Sequence, residues 1–150
     1  MTTLAEGVAA AFSRACLDEL EAPKPGNVHL FAPGHRMTAA EFIRSANAAA
    51  APLAVPGARV GSRILGAVEA TLAAVGTNTN LGIILLCAPL AATADIRAAD
   101  LRAALAQVLE ALDIQDAELA FRAIARAAPA GLGRAERHDV TETASVSLKD

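Results

Sequence analysis

Leu4, Val8, Phe12, Cys16 and Leu20 stand four residues apart and so share one face of a helix. The pattern Thr3-Leu-Ala-Glu6 before them is a capping box, and Pro23 after them disfavours helix at the residue it follows. The same periodicity returns along the chain. Thr38-Ala-Ala-Glu41 is a second capping box, opening a helix through about Ala51 with Phe42, Ile43 and Ala46 inward. Pro52 and Pro56 then bracket a turn. Val60, Ile64, Leu65, Val68 and Leu72 mark a third helix from about Gly57 to Val75. An apolar helix follows from Leu81, with Pro89 as its stop. Asp95 is placed to cap the next, whose stripe is Leu101, Leu105, Val108, Leu109 and Leu112. Asp113 is placed to cap a last helix with Ala117, Phe121 and Ile124 inward. No strand candidate exceeds a few residues. The prediction is all-α: a compact bundle of about six helices with a long functional loop after the first.

Hydrophobic residues make up 54% of the chain and aromatic residues 3%, with no Trp or Tyr. The core must therefore be built from Ala, Leu, Val and Ile, and Ala and Leu are strong helix formers. A length of 150 residues suits a single helical domain spanning 1–150. The stretch 129–150 carries glycines, charges and a β-branched alternation without an apolar stripe, and reads as an irregular tail.

Several function classes are set aside by the same reading. The formal net charge is −3 and no basic block stands out, so the footprint of a nucleic-acid binder is missing. The longest apolar run, Leu81 to Ala92, is short of the ~20 residues of a membrane span. Glu6 falls where a signal peptide would be apolar. A cytoplasmic protein without membrane partners is expected; self-association into a homo-oligomer is left open. Cys16 and Cys87 lie in apolar surroundings, as buried thiols do in a reducing compartment, and no zinc spacing exists. No P-loop, Rossmann or nucleophile-elbow glycine pattern occurs.

Three polar constellations remain. Thr77, Asn78, Thr79 and Asn80 follow Gly76 and precede the apolar helix at Leu81. One such residue suffices to cap a helix. Four of them beside free N–H groups at the positive end of a helix dipole also suit an anion. The loop 22–37 holds Lys24, a point charge suited to phosphate, and Gly26, which permits close backbone approach, with Asn27, His29, His35 and Arg36 following. A plain loop with a solvated lysine is the competing reading. Arg137-His138-Asp139 is the third; adjacent His and Asp can relay protons or bind metal, yet such pairs are often only solvated loop.

Together these segments resemble one family. EAPKPGNVHLFAPGHRM is similar to the "PKPG-[LN]-V" loop of triphosphoribosyl-dephospho-CoA synthases. AVGTNTNLGIILL is similar to their "G-x-NT-[HN]-x-G" segment, and ERHDV to their later "DV" segment, in the same order along the chain. The resemblance implies an all-α enzyme that transfers a triphosphoribosyl group from ATP to 3′-dephospho-CoA and releases adenine. The product is the precursor of the prosthetic group of citrate lyase or malonate decarboxylase acyl carrier proteins. ATP and magnesium are the implied cofactors, and ATP with dephospho-CoA or a related acceptor are the partners.

Within that reading Lys24, Gly26, Asn27, His29, His35, Asn78, Thr79 and Asn80 are the candidate nucleotide-binding residues. Asn78, Asn80 and Asp139 are candidate magnesium ligands, and His138 and Asp139 candidate acid–base residues for the acceptor hydroxyl. Arg36 stands where the family loop carries an acid, and Asn80 where it carries a histidine. Family members are longer, so the chain is expected to be the N-terminal part of a longer family fold. Two alternatives stand beside this: a non-catalytic or altered-function homologue binding a nucleotide or phosphorylated cofactor, linked to one-carbon (methanopterin) metabolism, and a helical interaction module whose polar loops are structural.

Overall fold

The computed structural model describes residues 2–34, 37–129 and 131–149. Six α-helices follow one another: α1 Leu4–Glu21, α2 Ala39–Leu53, α3 Val60–Val75, α4 Leu81–Ala92, α5 Leu101–Glu110 and α6 Ile114–Ala127. A 3₁₀ turn at Thr93–Asp95 extends α4. Two isolated bridges, His29 with Ala32 and Gly34 with Met37, are the only β-type pairings among the described residues. The all-α bundle expected from periodicity is what forms. No helix among the described residues is long and apolar enough to cross a membrane.

Both capping boxes are present. The Thr3 and Thr38 hydroxyls accept the N–H groups of Glu6 and Glu41, each at 3.2 Å. In return the two carboxylates accept the threonine N–H groups, which holds both carboxyls below their ordinary range.

α3 is the spine, packed against α2, α6 and α4, and α1 flanks α2. The facing side chains are small: Ala46, Ala49 and Ala50 on α2, Ala67 on α3, and Ala117, Ala120 and Ala123 on α6 are all buried. Small residues at a crossing shorten the interaxial distance. At Gly61 α3 and α6 approach so closely that a Cβ there would lie 2.6 Å from the Asp116 carbonyl oxygen. The buried Asp116 carboxylate accepts the Gly61 N–H at 2.8 Å, placing negative charge at the start of α3 where the helix dipole favours it.

Arg63 is the largest fully buried side chain. Its guanidinium donates to the Leu53 carbonyl at 2.5 Å, the Ala58 carbonyl at 3.0 Å and the Asp95 carboxylate at 2.6 Å. Asp95 also accepts the Gly57 N–H at 3.0 Å. One charge pair thus ties the α2–α3 connection to the end of α4.

Several boundaries differ from the periodicity-based expectation. Pro52 lies inside α2 as its penultimate residue, and the chain turns only where the Ala54 N–H closes on the Ala50 and Ala51 carbonyls. Pro89 does not end α4, which runs three residues further. Ile84, Ala88 and Ala92 are buried along that helix, and their packing offsets a proline cost of ~3 kcal/mol. Asp95 is no cap, being held by Arg63; Asp100 caps α5 through the Ala103 N–H at 2.8 Å. In α5 Leu101 and Leu109 are exposed while Ala104 and Val108 are buried. In α6 the alanine face is inside, and Phe121 and Ile124 are only half-buried. Close approach to α3 selects the smallest side chains, which a count of large hydrophobics misses.

Replacing Arg63 with leucine should lower stability by about 3 kcal/mol or more in urea unfolding, because two buried carbonyls and Asp95 lose their donor together. A midpoint close to that of the unsubstituted chain would show that the guanidinium is not needed to close the α2–α3 connection.

Candidate functional site

The segment from Asn78 to Ile83 and the loop after α1 share one cavity of about 750 Å³. Asn78, Thr79, Asn80, Leu81, Gly82 and Ile83 form one wall. Asn27, Val28 and Met37 form another, with Glu19 and Leu20 at the end of α1, Phe42 of α2, and Pro129. The volume falls within the range of small-molecule sites.

The polar segment enters an apolar bundle because two helices offer hydroxyls to receive it. Thr79 donates to the Ser45 hydroxyl of α2 at 2.6 Å, and Ser45 passes the bond to the Glu41 carbonyl at 2.7 Å. Thr71 of α3 donates to the Asn80 side-chain oxygen at 3.0 Å. Ser45, Thr71, Thr79 and Asn80 are all buried. The Asn78 side-chain oxygen accepts the Leu81 N–H at 3.2 Å and so caps α4 from three residues before its start. Gly82 and Ile83, next in that first turn, have N–H groups with no hydrogen-bond partner among the described residues. One further donor is orphaned: the Asn80 amide nitrogen is buried and unpartnered. Leaving a buried donor unmet costs about 1–3 kcal/mol.

The loop is fixed by its own backbone. Gly26 holds φ of 78°, a left-handed conformation open to glycine. Gly34 packs so tightly that a Cβ would lie 2.2 Å from the Asn27 carbonyl carbon. This crossing presses Asn27 and Val28 into the cavity wall. The Asn27 oxygen accepts the Val28 N–H at 2.9 Å.

The residues singled out from the sequence separate into two groups. Asn27, Asn78, Thr79 and Asn80 come together at the cavity. Lys24 does not line it; its ammonium bonds to the Glu19 carboxylate and, at 3.0 Å, to the Glu19 carbonyl. Gly26 shapes the loop from outside the wall. His29 is spent on its own turn, with Nδ1 accepting the Phe31 N–H at 3.3 Å. His35 lies outside the described residues, as does Arg36.

His138 and Asp139 do not line the cavity. His138 is exposed beside Ser145, with Nδ1 and the hydroxyl 3.3 Å apart. Asp139 is buried, and its carboxylate accepts the Ala135 N–H at 2.8 Å and the Thr141 N–H and hydroxyl at 2.9 and 2.6 Å. The Thr141 hydroxyl, followed by the N–H groups of Thr141 and Ala135, pulls that carboxyl down to about 2. It is a turn-forming group whose lone pairs are already engaged.

The proposed magnesium set of Asn78, Asn80 and Asp139 is not brought together. The two asparagine oxygens already accept from Leu81 and Thr71, and Asp139 lies elsewhere. No group of three or more His, Cys, Asp or Glu suited to a metal ion occurs among the described residues. These three residues do not form a protein-built magnesium cage; on the α4 side of the wall the free groups are donors, and Glu19 adds one carboxylate at the end of α1.

Ser45, Thr71 and Glu19 are site residues that sequence reasoning missed. Ser45 stands three positions after Phe42 and Thr71 three after Val68, so a lone hydroxyl on an otherwise apolar helix face was the available signal. Glu19, one residue before buried Leu20, carried none.

The fold and cavity define an all-helical protein with an open cavity between the start of α4 and the loop after α1. The model of the ATP:dephospho-CoA triphosphoribosyl transferase (CitG) family matches residues 5–150, and the chain belongs to that family. The family is one of transferases, named for moving the triphosphoribosyl group of ATP to dephospho-CoA. No curated protein and no solved structure matches the chain.

Replacing Thr71 with valine should destabilise the chain by about 1–3 kcal/mol in urea unfolding, because both ends of the Asn80 amide are then buried without partners. Unchanged stability would mean that the turn is held by something else. The depressed Asp139 carboxyl gives a second test. A folded pKa near 2, against 3.8 ordinarily, makes its hold on residues 135–141 complete above the higher value and lost as pH falls through the lower. The Ala135 and Thr141 amide resonances should therefore titrate with a midpoint near 2 in NMR spectra, and a midpoint near 3.8 would contradict the turn.

Proposed function

We propose that this chain is a cytoplasmic transferase that moves the triphosphoribosyl group of ATP to dephospho-CoA or a related acceptor, with the 750 Å³ cavity as the ATP site. The observation that carries this reading is the wall formed by the start of α4. Two N–H groups without partners, the positive end of a helix dipole and the orphaned Asn80 amide lie on one segment beside the loop of Lys24. A triphosphate supplies the acceptor oxygens these donors lack. Magnesium enters this reading as part of the substrate, chelated by the triphosphate.

The chemistry asks for little else from the polar wall. Adenine leaves C1′ of the ribose through an oxocarbenium-like centre, as in glycoside cleavage. The site must hold the phosphates, exclude water from the sugar and set the acceptor hydroxyl in line. Leu20, Val28, Phe42 and Met37 give the cavity an apolar side that can shelter the sugar or base.

Lys24 joins as a phosphate partner at small cost. Its pair with Glu19 is 31% and 43% exposed, and such pairs are worth no more than ~1 kcal/mol. Two of its three N–H donors are on Glu19, leaving a third for a phosphate oxygen.

A second reading is favoured by one observation. Of the candidate acid–base residues, His138 and Asp139 lie off the cavity. A homologue that binds a nucleotide or phosphorylated cofactor without transferring the sugar, or that serves a methanopterin-linked acceptor, would need no such group there.

Calorimetry should register saturable binding of ATP with magnesium. Chromatography should detect adenine when dephospho-CoA is added. Binding without adenine selects the second reading, and absence of both removes the cavity as a nucleotide site. Asn78→Ala should weaken ATP binding and lower helix stability by about 0.5–2 kcal/mol through loss of the cap.

A further inference from the structure

We propose that Glu19 is the catalytic base of the transfer step, taking the proton of the acceptor hydroxyl; this rests on the transferase reading above. Glu19 is the single ionisable side chain on the cavity wall among the described residues. It sits in the last turn of α1, where the chain bends into the Lys24 loop. Its Oε1 accepts from Lys24, while Oε2 has no hydrogen bond among the described residues. The carboxylate is thus held by one oxygen and open at the other, as a base positioned for a substrate proton must be.

Lys24 fits the same arrangement from the other side. With two donors on Glu19 and one open, its ammonium can touch a phosphate oxygen and the carboxylate at once. That bridge would fix the base relative to the triphosphate without contributing a proton itself. The competing carboxylate, Asp139, already accepts three donors in its own turn.

The step balances without a further reactant. The acceptor oxygen forms a bond to C1′ of the ribose as the bond from C1′ to N9 of adenine breaks. The electron pair of the broken bond leaves on adenine. The hydroxyl proton passes to Glu19 Oε2 and from there to the departing adenine, which leaves neutral and restores the carboxylate.

A purely structural role for Glu19 predicts something different. The backbone carbonyl of Glu19 holds Lys24 as well, so the loop keeps one tie when the carboxylate is replaced. Glu19→Gln also retains an amide oxygen for Lys24 while abolishing basicity. If Glu19 is the base, Glu19→Gln should lower the rate of adenine release about 100-fold or more while calorimetry gives ATP affinity that is unchanged or tighter. Glu19→Asp should recover part of the rate. Adenine release by Glu19→Gln within about threefold of the unsubstituted chain overturns the assignment. So does a parallel fall of rate and ATP affinity, which marks a loop-holding residue. If the unsubstituted chain binds ATP but releases no adenine with dephospho-CoA, the transferase reading itself fails and the role of Glu19 falls with it.

Discussion

A polar turn can enter an apolar bundle only where the bundle supplies its hydrogen bonds, and here two hydroxyls do so. Ser45 on α2 and Thr71 on α3 receive Thr79 and Asn80 from the turn before α4. The Ser45 bond joins elements far apart in sequence, the Thr71 bond closes the turn between α3 and α4, and both are buried. A buried donor or acceptor left unmet costs about 1–3 kcal/mol. The register of α4 against α2 and α3 is thereby set by polar pairing as much as by packing. The first turn of α4 is consequently delivered to the cavity with its N–H groups still free.

The bundle can be this close because its crossings are lined with alanine and glycine. At Gly61 a side chain would collide with the backbone of α6, and at Gly34 with the backbone of the Lys24 loop. The first contact brings α6 onto α3, and the second forms the cavity wall. Arg63 completes the frame by collecting two carbonyls and Asp95 around one buried charge. The same economy of side-chain volume serves both the core and the site.

Electrostatically the cavity is sparing. It gathers backbone and amide donors and one carboxylate already shared with a lysine. Such a wall favours a ligand rich in acceptor oxygens and carries little fixed charge of its own. This matches the substrates named by the family to which the chain belongs, both of which carry phosphate groups.

The helices were legible because period and capping are local. Thr3 with Glu6, Thr38 with Glu41, and Asp113 announced three starts within four residues of sequence. The Asn–Thr segment and the Lys24 loop were also visible, since polarity beside an apolar run and a glycine–proline bend are properties of short strings. That the two strings line one cavity, and that His138 and Asp139 do not line it, was not written in either string. Adjacent His and Asp in a string say nothing about which cavity they face. Likewise Leu101 and Leu109 of α5 were read as inward and are exposed, and Phe121 and Ile124 of α6 are only half-buried beside buried alanines, whereas Val108 and Leu112 are buried as read.

The sequence by itself determined that the chain is helical, where α1, α2 and α6 start, and which loops carry unusual polarity. Those are settled by contacts within a turn or two of the chain. Only the tertiary structure decided that Ser45 and Thr71 meet Thr79 and Asn80, and that Glu19 and not Asp139 lines the cavity. These pairings depend on the angle and distance at which helices cross, quantities fixed by the summed packing of the whole bundle and written in no single segment.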